Sequence, residues 1–355
     1  MPIRDTPLPT IADVARAAGV STATVSRVLN GADGVREALN SRVQSAAARL
    51  GYVPHAGARA LKLRRSGTIG AVFPTVDNAI FAKAVDALQR RFGEAGYQLL
   101  IATNDYDPQT EERQAINLLS RGADGLVLCG CGQRPALLQR LRERGVPAVH
   151  VMSWPVGPGL VGVGFDNARA MGQAVRYLLD LGHRRIAMLA GITRDNDRAA
   201  ARVLGVRQAM KSAGLPLPPE RLVERRYGIA AARDGLRQLL GADPPPTAVI
   251  CGNDVLAFGA LLEAQRLGLA VPKQLSIVGF DDLELASHLN PALTTVRVPA
   301  EELWQCAADR VIAALRGEEV PRQTEIEVSL VLRGSTGPAP AAARKLTRTG
   351  SSPRR

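Results

Sequence analysis

Thr10-Ile-Ala-Asp-Val-Ala-Arg-Ala-Ala-Gly19-Val-Ser21-Thr-Ala-Thr-Val-Ser-Arg27-Val-Leu-Asn30 reads as two short helices punctuated by one glycine and one serine. Ile11, Val14, Ala15 and Ala18 recur at helical spacing and form one apolar face. Thr10 followed three residues later by Asp13 is a capping-box pattern, so the first helix is expected to start there. Gly19 suits the left-handed position that ends it. Ser21 then caps a second helix whose Val25 and Val28 face inward. Its other side carries Thr22, Ala23, Ser26 and Arg27, small, polar or cationic groups that packing alone does not require. Such a face suits a DNA major groove, because small side chains permit close approach and arginine pairs bidentately with guanine. An ordinary helical hairpin shares the glycine turn and the apolar spacing, so the pattern by itself leaves both readings open.

Charge separates the readings further. The chain has 355 residues and a formal net charge of +12. Residues 1–65 hold ten Lys/Arg against four Asp/Glu, and residues 338–355 hold five cations and no acid. The 272 residues between them are left with only +1. A nearly neutral body with a basic head fits a polyanionic partner at one end. Hydrophobic content of 46% and charged content of 22% belong to a globular protein with room for two or three domains. No apolar run reaches the length of a membrane span, and no cationic-then-apolar leader opens the sequence, which reads as a cytoplasmic protein without membrane contact. Cys129, Cys131, Cys251 and Cys306 lie far from most of the scattered histidines and read as small buried thiols, with no metal site expected.

The head segment resembles the LacI family of bacterial transcription regulators. The family's running signature is matched by Thr24-Val-Ser-Arg-Val-Leu-Asn-Gly31, then Leu50-Gly-Tyr-Val-Pro54, then Ala58-Arg-Ala-Leu61. The resemblance implies a helix-turn-helix head over residues 9–54 and a hinge helix or linker over 55–65. It implies operator contacts by Ser21, Thr22, Ala23, Thr24, Ser26, Arg27, Asn30, Tyr52 and His55. Ala58 and Leu61 would enter the minor groove, with Leu61 as the wedge. Two departures stand out. Val35-Arg36 and Pro54-His55 replace the family's usual Val-Ser and Pro-Asn, so the third helix loses its ordinary cap, with Asp33 as a substitute, and the hinge starts on a weaker one.

After Arg65 short apolar runs alternate with helix-length segments. The expected strands include Thr68–Phe73, 96–102, Gly125–Cys129, 146–151, 161–165, 185–189, Ala248–Cys251 and 275–280. Gly96, Gly122, Gly145, Gly182 and Gly268 each stand where a helix should end before a strand. This alternation calls for parallel sheets covered by helices. There are too many units for one sheet, so an α/β body of two lobes is expected. It resembles the periplasmic-binding-protein-like domain that follows the head in that family, over residues 66–333. The first lobe would take 66–164 and 295–325, the second 165–293 and 326–332. Residues 337–355, rich in Pro, Ala, Arg, Ser and Thr, read as a disordered basic tail without the leucine heptads of a tetramerisation helix.

No catalytic constellation is present: there is no Gly-x-Ser-x-Gly elbow, Walker loop or His-Glu-x-x-His, and Gly162-x-Gly164-x-x-Asn167 is a broken dinucleotide fingerprint. No enzyme activity and no cofactor are expected. Ligands of open α/β sheets bind beyond the strand ends. There stand Phe81, Arg202, Tyr227, Asn253 and Asp281, a mixture of donors, acceptors and aromatic faces that suits a sugar. Asp166 and Asp282 read as a helix cap and a surface charge. For Arg202, Asn253 and Asp281 the resemblance implies effector contacts. Many sugar-binding relatives carry an acid after the fourth strand, where this chain has Met152-Ser153; its loss makes the pocket more positive and leaves room for a sugar acid. The expectation is a homodimeric, ligand-responsive repressor of carbohydrate or sugar-acid genes on a palindromic operator. The alternative is a solute-binding receptor, which the two-lobed body alone would suggest.

Overall fold

A computed structural model of the chain describes residues 9–29, 34–53 and 65–340. It divides into two compact units, residues 1–66 and 67–355.

In the head, helix α1 spans Ile11–Ala18, α2 Thr22–Leu29 and α3 Glu37–Leu50. Thr10 and Asp13 make a reciprocal capping box, and Gly19 closes α1 at φ 63°. Ser21 Oγ accepts the Thr24 N–H at 3.2 Å and so starts α2. Val14, Ala15, Ala18, Val25, Val28, Val43, Ala46 and Ala47 form the core, with Ile11, Leu39 and Tyr52 packed against it. Helix α3 begins at Arg36 without a side-chain cap, as the departure from the family pattern implied. Asp33 lies outside the described residues.

The body contains, in chain order, β1 (Thr68–Phe73), α4 (Ala79–Glu94), β2 (Gln98–Thr103), α5 (Pro108–Ser120), β3 (Gly125–Cys129), α6 (Pro135–Glu143), β4 (Ala148–Val151) and β5 (Val161–Gly164). Then come α7 (Asn167–Asp180), β6 (Ile186–Gly191), α8 (Asp197–Ser212), β7 (Leu222–Arg225), α9 (Ile229–Leu240), β8 (Ala248–Cys251), α10 (Asp254–Arg266) and β9 (Ser276–Asp281). The last elements are α11 (Leu285–His288), β10 (Thr294–Arg297), α12 (Ala300–Arg316), β11 (Gln323–Glu325) and β12 (Ser329–Val331). The strands make two six-stranded sheets, ordered β11-β5-β4-β3-β1-β2 and β12-β10-β9-β8-β6-β7. Among the described residues every strand pairing is parallel except β10 with β12. β3, β6, β8 and β9 are buried throughout, as parallel strands covered on both faces must be. The glycines expected to end helices all have positive φ, from 62° at Gly145 to 93° at Gly122.

Two boundaries differ from the sequence reading. Residues 295–297 do not return to the first lobe: β10 pairs in register with Val278–Asp281 of β9, and the chain crosses back only at α12. The body also runs past residue 333. His183, buried in the second lobe, bonds the Gly337 carbonyl at 3.0 Å, and the Ala339 N–H donates to the Leu181 carbonyl at 2.8 Å. Residues 337–339 are therefore tied to the body, and the chain after residue 340 lies outside the described residues.

Candidate functional site

Two places gather polar and aromatic side chains suited to a partner. The first is the outer face of α2. Val25 and Val28 are buried, while Ser21, Thr22, Ala23 and Arg27 are exposed and Thr24 and Ser26 half-exposed. Ser21 and Thr24 are joined through their hydroxyls at 2.9 Å, which stiffens the helix start. Tyr52 is half-buried against the head core, leaving its ring only partly available. Asn30, His55, Ala58 and Leu61 lie outside the described residues.

The second place is the cleft of the body, at the carboxyl ends of both sheets. Phe81, Arg202, Tyr227, Asn253 and Asp281, named from sequence, line one small cavity together with Asn78, Ile80, Tyr106, Met152, Asn196 and Arg198. Each is placed by its element. Phe81, in the first turn of α4, packs its ring 5.8 Å from Phe73. Asn253 caps α10, its Oδ1 accepting the Leu256 N–H at 3.0 Å. Tyr227 follows β7 and lies over Gly191, where any Cβ would collide with the phenol. Arg202, on the second turn of α8, donates from Nε to Asn167 Oδ1 at 2.9 Å and from an NH group to the Gly252 carbonyl at 2.6 Å. Its guanidinium lies 3.8 Å from the Phe280 ring centre and 4.0 Å from Asp281. Asp281 ends β9 with φ 115°, and its Oδ1 accepts no hydrogen bond although it is buried. Burial pushes its carboxyl up to about 6, against the pull of Arg202. An acceptor left open at this depth is costly until something donates to it.

Asp166 caps a helix as expected, whereas Asp282, expected as a surface charge, has a side chain only 9% exposed. Asp166 caps α7 through the Arg169 N–H, and Asp282 pairs with Arg297 and Arg333 at 2.7 Å each. Cys129 and Cys251 are buried thiols at strand ends, Cys129 being pushed up to about 12 by burial, whereas Cys131 and Cys306 are half-exposed and Cys306 lies within α12.

Ser153, after β4, is joined to the other lobe: Asp197, the first residue of α8, accepts Ser153 Oγ–H at 2.6 Å, the Cys131 N–H at 3.0 Å and the Cys131 thiol at 3.2 Å. Burial would raise its pKa, but Arg198 and these donors hold it below the ordinary carboxylate range. Asp197 lines the small cavity behind the effector cavity and not the effector cavity itself.

The lobes are closed on each other. Besides the Asp197 bonds, the Tyr106 and Tyr227 rings meet at 5.9 Å, and Arg226 pairs with Asp105 at 3.5 Å. The cavity left behind them is about 20 Å³, the room of one water molecule. A wider mouth of about 490 Å³ opens on the outer side of the tyrosines. A larger groove of about 1070 Å³ runs along α4 and α12 and reaches Asp281 from that side, with the ion pairs Arg90–Glu301 and Arg91–Asp309 joining the two helices. Tyr106, Asn196, Asp197 and Arg198 were missed in the sequence. Arg198 precedes Arg202 by one helical turn, so it shares its face, and that spacing was the available signal.

Residues 10–55 match the family described as bacterial regulatory proteins, lacI family, and residues 175–336 match a periplasmic binding protein-like domain. The chain is 36% identical to the ribose operon repressor of Escherichia coli (strain K12) over 329 residues, 92% of this chain and 99% of that one. Among solved structures, the transcriptional regulator CelR in complex with cellobiose is 30% identical with a TM-score of 0.68, over 92% of this chain and 99% of that chain. The lac repressor dimer bound to operator and the anti-inducer ONPF is 27% identical with a TM-score of 0.81, over 93% and 100%.

Proposed function

Because the chain belongs to the LacI family of bacterial transcription regulators, we propose that it is a homodimeric repressor that reads a palindromic operator and is controlled by a carbohydrate-type effector in the body's cleft. The observation that carries the effector half is the convergence of Arg202, Asn253, Tyr227, Phe81 and Asp281 on one cavity, with the Asp281 Oδ1 unsatisfied. Sugar hydroxyls donate to a carboxylate and accept from an amide, and the flat faces of Phe81 and Tyr227 suit a ring. The relatives named for ribose and cellobiose support the same ligand class.

On the DNA side, Thr22, Ala23 and Arg27 read base edges, while Ser21, Thr24 and Ser26 fix the helix on phosphates. Tyr52, Asn30 and His55 add backbone contacts, and Ala58 with Leu61 enters the minor groove. One head presents a single short recognition helix; two heads on a two-fold axis double the phosphate contacts and match the palindrome. The dimer contact comes from the sides of the lobes, where exposed apolar side chains such as Ile229, Leu262 and Leu285 are available to it. Effector binding changes lobe closure, and the strength of the response equals the effector's differential affinity for the two arrangements. Operator binding places the protein with the chromosome in the cytoplasm.

A gel shift on DNA upstream of the protein's own gene tests this. A specific complex that survives excess random DNA and responds to a sugar is expected. Ligand binding without any DNA complex would instead favour a solute receptor.

A further inference from the structure

We propose that the effector is a polyhydroxy acid, with its carboxylate on Arg198 and its hydroxyls toward Asp281 and Asn253. This rests on the assignment of the cleft as the effector site and specifies its ligand.

Arg198 is the second residue of α8, and its side chain is 8% exposed. Of its five N–H groups, one donates to Asp197 Oδ1 at 3.0 Å, and no other hydrogen bond is made by its side chain among the described residues. A guanidinium so deep in the protein ordinarily has most of its donors matched. Its acid neighbour is already engaged: Asp197 Oδ2 takes the three bonds from Cys131 and Ser153. The unused donors belong to a side chain that lines the effector cavity and also a second small cavity behind it.

The contrast with Arg202 decides which arginine takes an anion. Arg202 is fixed by Asn167, the Gly252 carbonyl and the Phe280 ring, and stands beside Asp281. It orients the acid end of the cavity. Arg198, one turn earlier on the same helix with its Cβ about 6 Å from that of Arg202, forms the end with open guanidinium donors. The Arg198–Asp197 pair packs directly against the backbone of Gly130 in the first lobe, whose φ of 78° calls for glycine. A ligand matched to this polarity has an anion at one end and hydroxyls at the other. The Arg198–Asp197 pair is neutral overall, so its open N–H groups tolerate one added negative charge better than the two of a phosphate dianion, which would also face Asp281.

Calorimetry on the full chain tests this with three sets of probes: five- and six-carbon aldonates, the matching neutral aldoses and alditols, and the matching sugar phosphates. At least one aldonate is expected to bind ten-fold or more tightly than its neutral counterpart. Arg198→Gln should erase that preference and Arg198→Lys should retain part of it, with thermal melting checking that both variants fold. Neutral sugars binding as well as the acids, with Arg198→Gln changing neither, would overturn the carboxylate assignment and leave the effector site standing. Preference for the phosphates would overturn it in favour of a dianion. Absence of binding by all three sets would overturn both readings.

Discussion

Ser153→Ala removes one hydrogen bond that joins the two lobes. The bond is short, 2.6 Å, and its acceptor is the ionised Asp197, so it belongs to the charge-assisted class. Such bonds contribute about 1.5–3 kcal/mol net. Asp197 keeps Cys131 and Arg198 in the variant, so no buried charge is orphaned and the loss stays near that range. In an opened body Ser153 and Asp197 would both face water, so the loss falls on the closed arrangement alone. The closed-to-open ratio should therefore drop roughly 10- to 100-fold, since about 1.4 kcal/mol is a factor of ten. Small-angle scattering and hydrogen exchange of the strand-end segments read that shift without any effector. A variant whose scattering profile and cleft exchange match the wild type would refute the idea that Asp197 holds the lobes together.

Arg27→Ala should cost about 1–3 kcal/mol on the specific operator and relax preference at one base pair; equal losses on specific and random DNA would place Arg27 on phosphate. Asp254 is buried on α10 beneath Thr295 and the Leu283 N–H, and burial, then the charge of Asp281, pushes its carboxyl from 3.8 up to about 8. A raised folded value gives stability that is complete below the unfolded value and lost as pH climbs through the folded one. Wild type should lose stability relative to Asp254→Asn between about pH 4 and pH 8, and parallel denaturation curves across that window would contradict the assignment. Deleting residues 341–355 removes the five cations while leaving Gly337 and Ala339 tied down. The dimer and its sequence preference should persist with a shallower salt dependence, and a tetramer that reverts to a dimer on deletion would be the opposing result.

The head was legible almost residue by residue because its signals are local. A capping box, a left-handed glycine and 3.6-residue spacing each act within one turn, and they returned α1 and α2 at their expected places. The strands were legible for the same reason, Gly125–Cys129 and Ala248–Cys251 to the residue. The crossing of β10 was not: Thr294–Arg297 looks alike in either lobe, and only pairing with β9 assigns it. In the cleft, Asn253 and Asp281 announced themselves as polar residues directly after apolar strands. Asp197 did not, because its meaning depends on Ser153, 44 positions earlier and in the other lobe. The role of Gly337 was hidden similarly, since a Pro- and Ala-rich stretch shows nothing of the distant His183 that binds it.

Operator affinity measured by fluorescence anisotropy, as a function of effector, tests the central claim most directly. The effector would be the tightest binder from a thermal-shift screen of sugars and sugar acids, and wild type would be compared with Asp281→Asn. The effector should shift wild-type operator affinity by at least five-fold, a coupling of about 1 kcal/mol or more, while the Asp281→Asn complex with operator stays unchanged over the same range. An equal shift in both proteins would contradict this, because the effector would then act without the open carboxylate at the end of β9.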